Sequence, residues 1–264
     1  MRQYLQAYKF GISDAITYRM RMVIWFLQSS VWICVLPFIW FSIYGSQESI
    51  GGYSKTMLIS YFFFIPLIEG ITFHHVDNNI HEDIRKGTIV NFLIKPTRYL
   101  VYQFFIEMGY KTMGLFPPII TMLVLYPLVK NFIELPHISL SLLWIIPTLI
   151  LGSLIGFLIS SIIGLVAFWT TRAEWAQHLW WMVATFVGGY IDPLEFFPAA
   201  AQKLISYTPF PLLINTPISI LLGTLSTPAI LQQLILAAIW VLILFLITTF
   251  MYLRGIRRIE GVGI

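Results

Sequence analysis

Charge is scarce in this sequence. Only 11% of its 264 residues are Asp, Glu, Lys or Arg, while 58% are hydrophobic; a soluble domain carries about 25% charged residues. Several apolar runs match the roughly 20 residues a helix needs to cross a bilayer. Together these point away from a soluble domain and to an all-α polytopic membrane protein. The runs are continuously apolar rather than alternating, which argues against a β-barrel. Cysteine is also nearly missing. Cys34 stands alone inside the first apolar run, so the chain forms no intrachain disulfide. No phosphate loop of the form G-x-x-x-x-G-K-S/T is present, which excludes nucleotide hydrolysis by that route. Neither H-E-x-x-H nor G-x-S-x-G occurs. The net charge of +4 does not call for nucleic acid, because basic residues belong on the cytoplasmic side of such a protein. The first apolar run starts past residue 20 and is too long for a signal h-region, so no cleavable signal is expected.

What is present divides into six expected spans, at 22–44, 56–73, 112–129, 140–169, 175–191 and 229–253. Residues 2–18 read as a helix lying on the membrane, with Leu5, Tyr8, Ile12, Ala15 and Ile16 on one face. A plain helical lead-in to the first span reads equally well. Pro117, Pro118 and Pro127 fall in the third span, where neighbouring helices must satisfy the freed carbonyls. Gly152, Gly156, Ser160 and Gly164 recur every four residues in the fourth, a face suited to close helix contact, although glycine is common in any membrane helix. Residues 192–222 are apolar but broken by Pro193, Pro198, Pro209, Pro211 and Pro217. Two half-helices re-entering the outer leaflet, 198–206 and 212–222, fit this pattern, and such backbone must be buried in protein or line a cavity. With both termini inside, thirteen of the 16 Lys and Arg residues lie on the inner side, against Lys55, Lys130 and Lys203 outside.

The candidate functional residues follow from where charge interrupts this pattern. Residues 78–98 form the longest charged stretch, with Glu82, Asp83, Arg85, Lys86, Lys95 and Arg98 running from acidic to basic across Gly87. It reads as a cytosolic handle gripped by another molecule. His74, His75, Asp77, His81, Glu82 and Asp83 have a ligand-like composition, but a metal site needs a closed set; a solvated helix end is the expectation, with no metal. Glu69 lies within the second span, where an ionisable group is costly and must face protein or water. It serves as a polar element in a transport path, as a proton acceptor, or in a structural hydrogen bond, with His74 or Lys111 as partner. Asp192 and Glu195 flank Pro193, and are expected to cap the following half-helix; a gate facing the substrate is the alternative.

Three segments carry a resemblance. Glu82 stands four residues before Lys86-Gly87-Thr88-Ile89, followed by Leu93 and Lys95-Pro96. Gly188-Gly189-Tyr190-Ile191-Asp192-Pro193-Leu194-Glu195-Phe196-Phe197-Pro198 precedes Tyr207-Thr208-Pro209, and Arg254-Gly255-Ile256-Arg257-Arg258 ends the last span. In this order they resemble the membrane subunit of type-2 ABC transporters, in the bacterial branch whose ATPase is a separate chain. The resemblance implies a coupling helix within 78–95, with Glu82, Asp83, Arg85, Lys86 and Gly87 facing an ABC ATPase dimer. It implies a re-entrant hairpin at 192–222 and export as the direction. ATP and Mg would sit on the ATPase, with no cofactor and no catalysis on this chain. Six spans are few for a pathway, so a dimer is expected, with a second copy or a homologous permease. The setting is the bacterial cytoplasmic membrane and its lipids, with both termini cytoplasmic. Ala199-Ala200-Ala201 departs from relatives that often carry a tryptophan there. An ion-coupled secondary transporter using Glu69 and the nearby histidines is the other reading, although the two halves show no inverted repeat.

Overall fold

A computed structural model describes residues 2–93, 97–136, 140–170 and 174–260. Lys95, Pro96 and Arg172 lie outside the described residues. The chain opens with α1 (Arg2–Thr17) and α2 (Arg19–Tyr44). A small hairpin follows, in which β1 (Ser49–Ile50) pairs with β2 (Tyr53–Ser54). Gly51 and Gly52 both take positive φ, as a two-residue hairpin turn requires. Ser54 then caps α3 (Lys55–Thr72), its hydroxyl accepting the Met57 N–H at 3.0 Å. Next come α4 (Val76–Arg85), the short α5 (Val90–Leu93), α6 (Tyr99–Gly114) and α7 (Phe116–Val129). After them stand α8 (Ile145–Leu165), α9 (Glu174–Val187), α10 (Ala199–Ser206), α11 (Asn215–Leu221) and α12 (Thr227–Glu260).

Among the described residues, five stretches are long and apolar enough to cross a membrane: Met20–Tyr44, Lys55–Arg85, Tyr99–Val129, Leu140–Phe168 and Thr227–Arg258. Two outrun the expected spans by more than ten residues. The third begins at Tyr99 rather than at residue 112, because α6 and α7 continue one another. Pro117 and Pro118 lie in the first turn of α7, where the missing N–H groups are unpaired in any helix. The second continues past a short break at Phe73–His75 into α4. The expected fifth span is different. α9 has 14 residues, about 21 Å at 1.5 Å per residue, against a hydrocarbon core of ~30 Å. Irregular chain from Gly188 to Pro193 follows it.

The four-residue stripe on α8 is the seat of the α3–α4 unit. A Cβ on Gly156 would run into the Thr72 carbonyl, and one on Gly164 would stand 2.7 Å from Ile80 Cβ. Between them Ser160 Oγ donates to Asp77 Oδ1 at 2.7 Å. The stripe is therefore a contact face, used within the chain. α1 departs from its expected face. Ala7, Gly11 and Ala15 form its buried seam, while Leu5 and Ile16 remain 55% and 56% exposed. Gly11 lies against the Ile106 carbonyl of α6, Gly109 lies against the Tyr8 carbonyl, and the Tyr8 hydroxyl bonds Thr112 Oγ1 at 2.9 Å. Small residues let the two helices touch backbone to backbone, so α1 is docked along α6.

The second half of the proline-broken stretch is interior, whereas α10 has no buried residue. Every residue from Pro211 to Ile220 is buried. Its freed backbone groups are met by side chains, as depth requires. Thr72 Oγ1 donates to the Leu213 carbonyl at 2.7 Å. The Tyr61 hydroxyl reaches the Gly189 carbonyl at 2.6 Å and Asn215 Oδ1 at 3.2 Å. Asn215 Oδ1 also accepts the Leu194 N–H at 3.1 Å, and its own N–H bonds the Gly188 carbonyl at 3.1 Å.

Candidate functional site

α4 is built to show one face and hide the other. Val76, Asp77 and Ile80 are buried against α8, while His75, Asn78, Asn79, Glu82, Arg85 and Lys86 are exposed at helical spacing. Glu82 sits three and four residues before Arg85 and Lys86, and its carboxylate lies 4.0 Å and 3.0 Å from them. Solvent screens these pairs, so they add little to stability and leave the charges available to a partner. The helix stops at Gly87, whose φ of 72° supplies the left-handed turn after the last helical residue. Its N–H bonds the Ile84 carbonyl at 3.1 Å.

Asp83 does not belong to that surface. Its carboxylate accepts from Thr88 Oγ1 at 2.6 Å, the Tyr99 hydroxyl at 2.8 Å and Gln103 Nε2 at 2.9 Å. It pins the turn after α4 to the start of α6. Tyr99 also stacks on Tyr252 of α12, with centroids 6.0 Å apart. The five residues expected to face an ATPase thus split into four exposed ones and one internal tie. The groove beside them has a volume of about 670 Å³ and is lined by Phe10 and Asp14 of α1, Asn79 and Glu82 of α4, and Tyr102 and Ile106 of α6.

The histidine cluster is only in part a solvated helix end: His75 and Glu82 are exposed, but His74 and Asp77 are not. His74 is 1% exposed and Asp77 6%, because the break between α3 and α4 turns them toward α8. His74 Nε2 pairs with Ser153 Oγ at 2.9 Å, and the Asp77 N–H bonds Ser160 Oγ at 3.1 Å. Among the described residues no group of three or more His, Cys, Asp or Glu side chains has a metal-binding arrangement. Glu69 borders a cavity of about 100 Å³ with Ser29, His75, Glu107, Tyr110 and Lys111. Neither expected partner meets it directly. Lys111 Nζ bonds the carbonyls of Gly70 and Phe73 instead. His74 Nδ1 lies 3.6 Å from Glu107. A cavity of that size has room for several waters, each of which needs about one probe sphere of 10–15 Å³.

The two acids beside Pro193 differ in their surroundings. Glu195 Oε2 accepts from the Tyr53 hydroxyl at 3.3 Å. Burial first, and the Glu195 charge second, raise the Tyr53 hydroxyl well above its ordinary pKa. Asp192 is half-exposed. Neither acid caps a helix, contrary to expectation. Pro193 and Pro198 occupy the two N-cap positions and carry no side-chain acceptor. Gln202 Nε2 instead binds the carbonyls of Glu195 and Phe197, at 3.1 and 2.7 Å.

Three residues at these sites escaped sequence reading: Glu107, Asn215 and Tyr61. For Glu107 there was one signal. It precedes Lys111 by four residues within an otherwise apolar helix, so two opposite charges share a face where charge is expensive. Asn215 and Tyr61 offered none, since their importance lies in backbone groups that only the fold brings to them.

A family model described as "ABC-2 family transporter protein" matches residues 30–263. No curated protein matches the chain.

Proposed function

Because the chain belongs to the ABC-2 transporter family and is a transmembrane permease of an ABC transporter, we propose that it works as one half of an ATP-driven exporter. It pairs with a second copy or a homologous permease, and both receive their stroke from a separate ATPase dimer that carries ATP and Mg. α4 is the coupling helix. The observation that carries this reading is its divided surface: one face is locked on α8, and the other presents Glu82, Arg85, Lys86 and Gly87 to solvent. A helix so held transmits a push rather than rolling under it. The groove between α1, α4 and α6 supports an assisting role for α1.

In this reading α9 together with Gly188–Pro193 completes a sixth crossing. Both termini and α4 then lie on the cytoplasmic side of a bacterial cytoplasmic membrane. The contact of Tyr99 with Tyr252 favours this, since it joins the basic end of α12 to the α4 side of the molecule. Residues 192–222 form the outer hairpin. The pathway runs between the two permeases, along the face of α9 that exposes Trp175, Trp181, Met182 and Phe186.

The test is to reverse the exposed charges together, as Glu82→Lys, Arg85→Glu and Lys86→Glu. Co-purification of the ATPase and transport should both be lost while the melting temperature of the purified chain stays put. Retained ATPase and unchanged transport would sink the assignment. A second reading draws on the cavity beside Glu69: an ion-coupled secondary transporter working through that carboxylate and its histidines. It predicts flux driven by a proton gradient in vesicles that contain no ATPase.

A further inference from the structure

Between α3 and α4 the helix is interrupted at Phe73–His75. Such a break releases the last carbonyls of one helix and the first N–H groups of the next, and in a buried place each needs a partner. One helix, α6, answers both. Lys111 Nζ donates to the Gly70 carbonyl at 2.9 Å and to the Phe73 carbonyl. One turn earlier, Glu107 Oε1 accepts the His75 N–H at 3.1 Å. The ammonium therefore stands at the negative end of the α3 dipole and the carboxylate at the positive start of α4. Both side chains come from the part of α6 that α1 braces. Among the described residues, Glu107 and Lys111 form no ion pair within 4.0 Å; the basic atom near Glu107 is His74 Nδ1, at 3.6 Å, which is charged only when protonated. The two charges address helix ends more than each other.

The geometry points to Glu107 and Lys111 as positioning residues, a charged clamp that fixes the angle between α3 and α4. Without it the break is a hinge, and a push on α4 is absorbed there. With it, the push reaches α3 and the buried backbone that α3 holds through Tyr61 and Thr72. That α4 is pushed by an ATPase rests on the coupling reading above; the clamp does not.

The first experiment accordingly needs no ATPase. Spin labels at Lys9→Cys on α1 and Lys86→Cys on α4, in a Cys34→Ser background, report where α4 sits relative to α6 in the purified chain. The parent and Lys111→Arg should give narrow distance distributions. Lys111→Met and Glu107→Gln should give distributions about twice as broad, as a locally opened segment does. Glu107→Gln keeps the side-chain shape and one acceptor oxygen, so it decides the matter should Lys111→Met fail to fold. The exchanged variant Glu107→Lys/Lys111→Glu preserves any attraction between the two but places each charge at the wrong helix end. The clamp predicts that it stays broad. A narrow distribution in the exchanged variant, or in Glu107→Gln, overturns the proposal. In the assembled transporter, Glu107→Gln should keep the ATPase bound while transport falls about tenfold, the equivalent of ~1.4 kcal/mol of lost coupling. Should the parent chain bind no ATPase, the coupling reading fails and the distance result still judges the clamp.

Discussion

α4 and the segment from Pro211 to Leu222 invert what their compositions advertise. α4 holds most of the charge of its neighbourhood, yet one stripe of it is core, with Val76 and Ile80 0% exposed. The other segment is broken by prolines and shows no amphipathic stripe, yet from Pro211 to Ile220 it is wholly interior. The difference lies in where backbone hydrogen bonds are made. Past its first turn α4 satisfies its own, and so needs only one apolar stripe and the ties at its start, Glu107 and Ser160, to stay in place. The broken segment cannot, so it must be surrounded by side chains that finish the job, Thr72, Tyr61 and Asn215 among them. The first can spare a face for a partner; the second has none to spare.

Substitutions that break this contrast should fall in a definite order. Asn215→Leu should do most harm. It removes the acceptor for the buried Leu194 N–H and one contact of Tyr61, at ~1–3 kcal/mol for each stranded group. We expect loss of folded protein by detergent size-exclusion chromatography. Asp83→Ala comes next, because Tyr99, Gln103 and Thr88 all lose one acceptor. A drop of about 2–3 kcal/mol, read from denaturant or thermal melts, should accompany faster hydrogen exchange in residues 86–93. A charge change at Asp83 thus tests the fold, not the docking. Gly164→Val is milder. Overpacking against Ile80 and Asp77 costs about 1–3 kcal/mol, and α4 can ride up slightly on α8 to relieve it. The clearest sign would be weaker ATPase binding with a modest shift in melting. At the bottom of the scale, reversing Glu82, Arg85 and Lys86 should leave stability unchanged, because these side chains are solvated. Should that last change unfold the chain, the division of α4 into a held face and a free face is wrong.

The same contrast explains what could be read in advance. Run length and mean hydropathy are local properties. They suffice for a helical chain with apolar segments of membrane-crossing length, and Gly87 announces the end of α4 because few other residues take its backbone angle without strain. Tertiary contacts decided the rest. Glu82 and Asp83 are neighbours in sequence and about 100° apart on the helix. Nothing local says which will meet solvent, and only the arrival of Tyr99 and Gln103 turns Asp83 inward. His74 and Asp77 looked like a wet helix end until the α8 stripe was seen to receive them. Asp192 and Glu195 looked like caps, but caps depend on where a helix starts, and prolines hold both starts. Glu107 and Lys111 are the plainest case. As sequence they are an acid and a base four residues apart. They become a clamp only because α3 and α4 leave their helix ends beside them. Composition determined that the chain would be helical and membrane-embedded; tertiary structure decided which of its few charges hold the protein together and which remain free for a partner.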